Sequence, residues 1–138
     1  MKTPAASIEE LNDVLTATPF LKPYGFMVTT CNPGECTIVV PFVASLERPG
    51  GILSGMTLMG AADVAMWLAV MTLRGTAERW VTSDMKTAFL RSAREEEVVC
   101  MARVLKPGKR TMYGTAESHG AASGLVAHHV LTYSKIEA

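Results

Sequence analysis

Asp63 is the only charged side chain between Arg48 and Arg74. It lies in Leu58-Met59-Gly60-Ala61-Ala62-Asp63-Val64-Ala65-Met66-Trp67-Leu68-Ala69-Val70-Met71. The run predicts a helix that is apolar on all sides, and such a helix is buried. An ionised carboxylate there is costly unless another group pairs with it or a reaction uses it. One use is as a nucleophile or general base. A structural use, accepting hydrogen bonds in a packed core, fits the residue type equally well.

The start of the same helix, Leu53-Ser54-Gly55-Met56-Thr57, is the second candidate. Ser54 suits the N-cap, where its hydroxyl accepts a first-turn N–H. Gly55 has no side chain, so a ligand atom can approach its N–H closely. The partial positive charge of a helix N-terminus would then polarise a carbonyl or hold an oxyanion. Ser-Gly also starts helices that have no further role. Gly55 and Asp63 are eight residues apart, about 12 Å along a helix axis. Both cannot act on one carbonyl from one chain, because that needs approach to about 3 Å. If they serve one site, they come from two copies with antiparallel helices, and the sites occur in symmetric pairs.

The remaining reactive residues are weaker candidates. His128 and His129 are adjacent, so in a strand they point to opposite faces. His119 stands apart, and no His or Cys spacing matches a metal site. Cys31, Cys36 and Cys100 read as buried, reduced thiols, although a Cys31–Cys36 bridge across a hairpin is sterically conceivable. Lys106, Lys109 and Arg110 cluster at a turn with Pro107 and Gly108, as a solvated surface or as phosphate contacts. Met56, Met59, Met66, Trp67 and Met71 suit plain core or a pliable pocket wall.

These residues must be carried by a small set of elements. Ser7 to Leu15 reads as a short helix with Ser7 and Glu10 as its capping pair. Gly25–Cys31 and Glu35–Val43 read as strands joined at Asn32-Pro33-Gly34. The long helix follows Pro49-Gly50-Gly51 and ends near Leu73-Arg74-Gly75. Trp80–Arg91, Glu97–Lys106, Thr111–His119 and Leu125–Ile136 read as further strands. In the first of these, strict alternation puts Val81, Met85 and Phe89 on one face and Thr82, Asp84 and Lys86 on the other. The order fits an α+β fold in which an antiparallel sheet of five to six strands wraps a central helix.

The 138 residues fit one domain, 1–138, with a real core. Thirteen basic and thirteen acidic residues give zero formal charge, which points away from nucleic acid and anionic lipid. The N-terminus lacks the apolar stretch of a signal peptide, so the expected location is the cytoplasm. Ile52–Leu73 is long enough for a membrane span, but Ser54, Thr57 and central Asp63 favour a buried core helix.

The segments "RPGGILSGMTLMGAADVAMW", "VTSDMKTAFLRSA", "VLKPGKRTMYGTAE" and "GLVAHHVLTYS" resemble the PaaI-like acyl-CoA thioesterases of the hotdog fold, over about Tyr24 to Ser134. The resemblance implies a central helix wrapped by an antiparallel sheet, paired into a homodimer and often a dimer of dimers. It implies hydrolysis of acyl-CoA at the dimer interface, with coenzyme A as part of the substrate and no separate cofactor. On it, Asp63 matches the acid that serves as nucleophile or base, and Gly55 the N–H that polarises the thioester carbonyl. Thr82 matches the hydroxyl that helps to place the attacking water. Lys106, Lys109 and Arg110 match a basic turn near the CoA phosphates, and Arg48 is suited to the same contact. Where many members carry His-Gly-Gly at the helix start, this chain has Ser54-Gly55-Met56. Where many carry Asn six residues before that His, this chain has Arg48. A non-catalytic acyl-CoA-binding hotdog protein is the alternative. A hydroxyacyl-thioester dehydratase is disfavoured, since no His lies on the helix or its cap.

Overall fold

The computed structural model describes residues 3–137. Helix α1 (Ile8–Ala17) opens on the expected capping box: Ser7 Oγ accepts the Glu10 N–H, and the Glu10 carboxylate accepts the Ser7 N–H. Asn12 fastens α1 to the first strand, β1 (Met27–Asn32), through both its donor and its acceptor to the Val28 backbone. The other strands are β2 (Glu35–Val40), β3 (Trp80–Phe89), β4 (Val98–Lys106), β5 (Thr111–Gly120) and β6 (Gly124–Lys135). They form one antiparallel sheet in the order β1-β2-β4-β5-β6-β3. Between β2 and β3 runs the long helix α2 (Gly55–Arg74). A curved antiparallel sheet around one central helix is the hotdog fold.

The helix is seated by small residues and closed at both ends. Ser54 Oγ accepts the Thr57 N–H at the start, and the Gly75 N–H bonds to the Met71 carbonyl at the end. On β5, Gly114 leaves room for Met66: a Cβ there would lie 2.6 Å from the Met66 methyl and 2.2 Å from the Arg103 carbonyl. Leu58, Ala61, Ala65, Leu68, Ala69 and Val70 bury their side chains against the sheet. By length and composition α2 could cross a membrane, but 67% of its apolar window is buried inside this fold.

One stripe of α2 is left uncovered. Met56 and Met59 are exposed, and Gly60, Asp63 and Trp67 are half-buried. Steps of three and four residues put all five on one helix face. The sheet therefore covers most of the helix but not this face.

Strand β3 corrects one expectation. Its register slips between Thr82 and Asp84 where it pairs with β6. Such a bulge breaks strict alternation. Thr82 lies opposite Tyr133 and Met85 opposite Leu131, both of them buried on the helix side. Thr82 therefore faces the helix together with Met85, and Val81 does not share the face of Met85. The three cysteines are free. Cys31 and Cys36 are register partners, and burial pushes the Cys36 and Cys100 thiols up to about 12, which leaves them poor nucleophiles.

Candidate active site

Asp63 stands in the middle of the uncovered stripe, held by two strands. The Thr82 hydroxyl of β3 donates to its Oδ1. The Tyr133 hydroxyl of β6 lies 2.6 Å from the same oxygen and 2.7 Å from the Asp63 backbone carbonyl. Burial first, and the Asp63 charge next, push the Tyr133 phenol well above its usual range. The phenol therefore stays protonated and acts as a donor. Oδ2 has no partner among the described residues, where every buried side-chain oxygen and nitrogen does have one. Oδ2 is thus accessible, and it is the oxygen available for chemistry.

It opens onto a pocket of about 400 Å³. Trp67 and Gly60 of α2 line it, together with Trp80 and Val81 of β3. A 3₁₀ turn, Pro19–Tyr24, adds Phe20, Leu21 and Tyr24 to the lining, with Phe26 stacked on Tyr24 at 5.1 Å. Six of the nine aromatic residues in the chain line this one pocket. An acid with a free oxygen, facing an apolar aromatic cavity, can attack or deprotonate next to a bound apolar group.

Gly55 lies elsewhere. It lines a separate cavity of about 660 Å³ with Leu46, Arg48, Ser54, Met56, Met59 and Phe89. The Phe89 ring lies about 3.1 Å from where a Gly55 Cβ would stand, so packing alone already favours glycine here. Ser54 caps the helix as expected, and neither the Gly55 nor the Met56 N–H has a partner among the described residues. These two donors are free for a ligand. The two cavities share no lining residue. Within one chain the acid and the helix head thus stay apart, as the eight-residue spacing requires.

The basic turn occupies a third place, at the far end of α2. Lys106 and Lys109 are exposed, and Arg110 forms an exposed 3.4 Å ion pair with Glu137. The turn is tied to the Asp63 pocket through Arg74, which donates to the Gly108 and Lys109 carbonyls and stacks its guanidinium over Trp80 at 5.4 Å. Arg48, Ser54, Met56 and Met59 thus gather round Gly55, Thr82 joins Asp63, and the three basic residues lie beyond Trp80. Among the described residues no three His, Cys, Asp or Glu side chains converge to hold a metal ion.

Two functional neighbours are absent from the sequence reading. Tyr133 carries a detectable signal: alternation along β6 puts it inward, and a buried tyrosine hydroxyl needs a partner. Glu47 carries none, because it is one charge in a loop; its carboxylate accepts the Ser54 N–H at 2.7 Å and the Thr57 hydroxyl at 3.2 Å.

The family model described as the thioesterase superfamily matches residues 50–127. A protein of Thermoplasma acidophilum, provisionally named an esterase, is 30% identical over 76% of this chain and 79% of its own length. The structure of a conserved protein from Pseudomonas aeruginosa superposes with a TM-score of 0.82 at 28% identity, covering 89% of this chain and 98% of that one. A hypothetical thioesterase protein of Streptococcus pneumoniae, solved with coenzyme A, shares the fold at 14% identity with a TM-score of 0.75, covering 84% and 90%.

Proposed function

Because this chain belongs to the thioesterase superfamily, we propose that it hydrolyses acyl-CoA thioesters at sites shared between two copies. The observation that carries this reading is the free Oδ2 of Asp63, opening from the uncovered stripe of α2 onto an aromatic pocket. A second copy seated on that stripe, with its helix antiparallel, brings its Gly55 head to the first copy's Asp63. Strand β3 supports the same pairing: it is ten residues long and ends the sheet, so its outer edge is open to a partner strand. The coenzyme A held by the Streptococcus pneumoniae protein supports the choice of thioester.

In this reading the acyl group enters the aromatic pocket, and the thioester oxygen meets the Gly55 and Met56 N–H groups of the other copy. Thr82 and Tyr133 occupy Oδ1, which points Oδ2 at the reaction. As a base, Asp63 takes a proton from water while the water oxygen bonds to the carbonyl carbon. The C–S bond then breaks, the thiolate recovers a proton, and the acid leaves as a carboxylate. As a nucleophile, Oδ2 itself attacks the carbonyl carbon, the C–S bond breaks with loss of CoA thiolate, and water cleaves the resulting anhydride to free the acid and restore the Asp63 carboxylate. CoA thiolate is a fair leaving group, so Ser54 in place of histidine is tolerated. The exposed Lys106 and Lys109, beyond Trp80, are suited to the CoA phosphates.

Thiol release from a panel of acetyl-, hexanoyl-, palmitoyl- and phenylacetyl-CoA tests the reading. Turnover on at least one of them is expected. Tight binding of all without thiol release would instead make the protein an acyl-CoA binder.

A further inference from the structure

The head of α2 carries a second carboxylate that the hydrolytic reading does not use. Glu47 is bound through one oxygen to the Ser54 N–H and through the other to the hydroxyl of buried Thr57. Among the described residues no cation pairs with it, and its neighbour Arg48 is exposed. Its carboxylate is held at the helix N-terminus, and the Arg48 side chain lines the same cavity without an ion pair to it. This carboxylate sits one peptide away from the free N–H of Gly55, in the same cavity.

This placement has a chemical consequence. A helix N-terminus with free N–H groups holds anions well. Hydrolysis of a thioester converts a neutral carbonyl into a carboxylate at that very position. Without a counterweight the product would remain on the helix head. A unit negative charge a few ångströms away opposes this, by at least the roughly fivefold in affinity expected in bulk water and by more near a protein surface.

Resting on the hydrolytic reading, we propose that Glu47 is a specificity residue that makes the α2 head accept the neutral thioester carbonyl and reject the carboxylate product. The oxyanion of the reaction feels the same field, so some rate in the chemical step is given up for release of product. Glu47→Gln keeps the acceptor oxygen for the Ser54 N–H and removes the charge. It therefore shows stronger inhibition by free acid together with a faster first turnover.

The test is a binding titration that needs no turnover, with hexanoate as the anionic probe and hexanamide as its neutral counterpart. Trp67 and Trp80 line the adjoining acyl pocket in the proposed pair, so their fluorescence reports occupancy. Glu47→Gln and Glu47→Ala should each bind hexanoate at least about fivefold more tightly than the wild type, with hexanamide unchanged. Adding Gly55→Pro, which deletes one N–H of the head, should abolish that gain. The proposal is overturned if Glu47→Gln binds hexanoate as the wild type does, if hexanoate and hexanamide gain alike, or if the gain survives Gly55→Pro. Absence of thiol release by the wild type on every acyl-CoA would instead sink the hydrolytic reading, and the titration distinguishes the two failures.

Discussion

Two threonines on the inner face of β3 meet two ionisable residues, and the two meetings differ in one respect. Thr82 donates to Asp63, and Thr87 lies 2.8 Å from Nδ1 of His129. Tyr133 completes the first cluster, and Ser118, 3.4 Å from Nε2, completes the second. The second is a polar island in the apolar core, and the first lies on the uncovered face of α2. His129 is fully buried with both ring nitrogens engaged, and burial first, then the nearby His128, push its pKa down to about 4. Asp63 has one oxygen engaged and the other open to a pocket. A polar residue inside a core thus does not mark a reactive site; a polar residue with capacity left over and a cavity in front of it does.

The contrast can be broken by substitution. Asp63→Asn should lower turnover by about 10²–10⁴, the range for loss of a general base, while the protein folds and associates as before. Near wild-type thiol release would end the assignment. Tyr133→Phe removes a hydrogen bond to a charged group, worth about 1.5–3 kcal/mol, so kcat should fall by ten- to a hundredfold with little change in KM. A change confined to KM would show that Tyr133 shapes the pocket and does not hold the acid.

The sealed cluster should respond in stability, not in rate. His129→Ala leaves a cavity and strands the Ser118 hydroxyl, costing about 2–4 kcal/mol in denaturant unfolding, with turnover per folded molecule kept. Loss of activity in folded protein would place His129 in the reaction. The smallest effect is on pH dependence. His129 is neutral when folded but takes up a proton near 6.5 when unfolded. Between those values the unfolded state binds more protons, so stability falls as pH drops from 6.5 towards about 4. The upper part of that slope, above the range where carboxylates titrate, should flatten in His129→Gln. An unchanged slope there would show that His129 is not the responsible group.

Much of this arrangement is legible in the residues themselves. Asp63 is conspicuous because one charge interrupts an apolar helix. Ser54 caps where its type indicates, and tight turns delimit the strands. What is missed depends on contacts between distant segments. Tyr133 finds Asp63 across seventy positions of sequence. A bulge between Thr82 and Asp84 turns the face of β3, and no residue type announces it. The 3₁₀ turn at Pro19–Tyr24 contains Pro19 and Pro23, residues that end a preceding helix and do not announce a turn that lines a pocket. The basic turn and the helix head both read as substrate contacts, yet they lie at opposite ends of α2. Only the three-dimensional arrangement tells which end adjoins the acid.

The central claim is that Asp63 of one copy works with the helix head of another, and subunit complementation tests it most directly. Asp63→Asn loses the acid. Gly55→Pro loses a head donor at a position whose backbone accepts proline, because Ser54 is extended and Gly55 is the first helical residue, and the exposed Phe89 ring has to shift to admit it. Each variant alone should be nearly inactive. Mixed in equal amounts and allowed to exchange, half of the dimers are mixed and each of those holds one intact site, so about a quarter of wild-type turnover should return. If exchange is demonstrated and no activity returns, the acid and the head do not belong to one shared site, and the account is wrong.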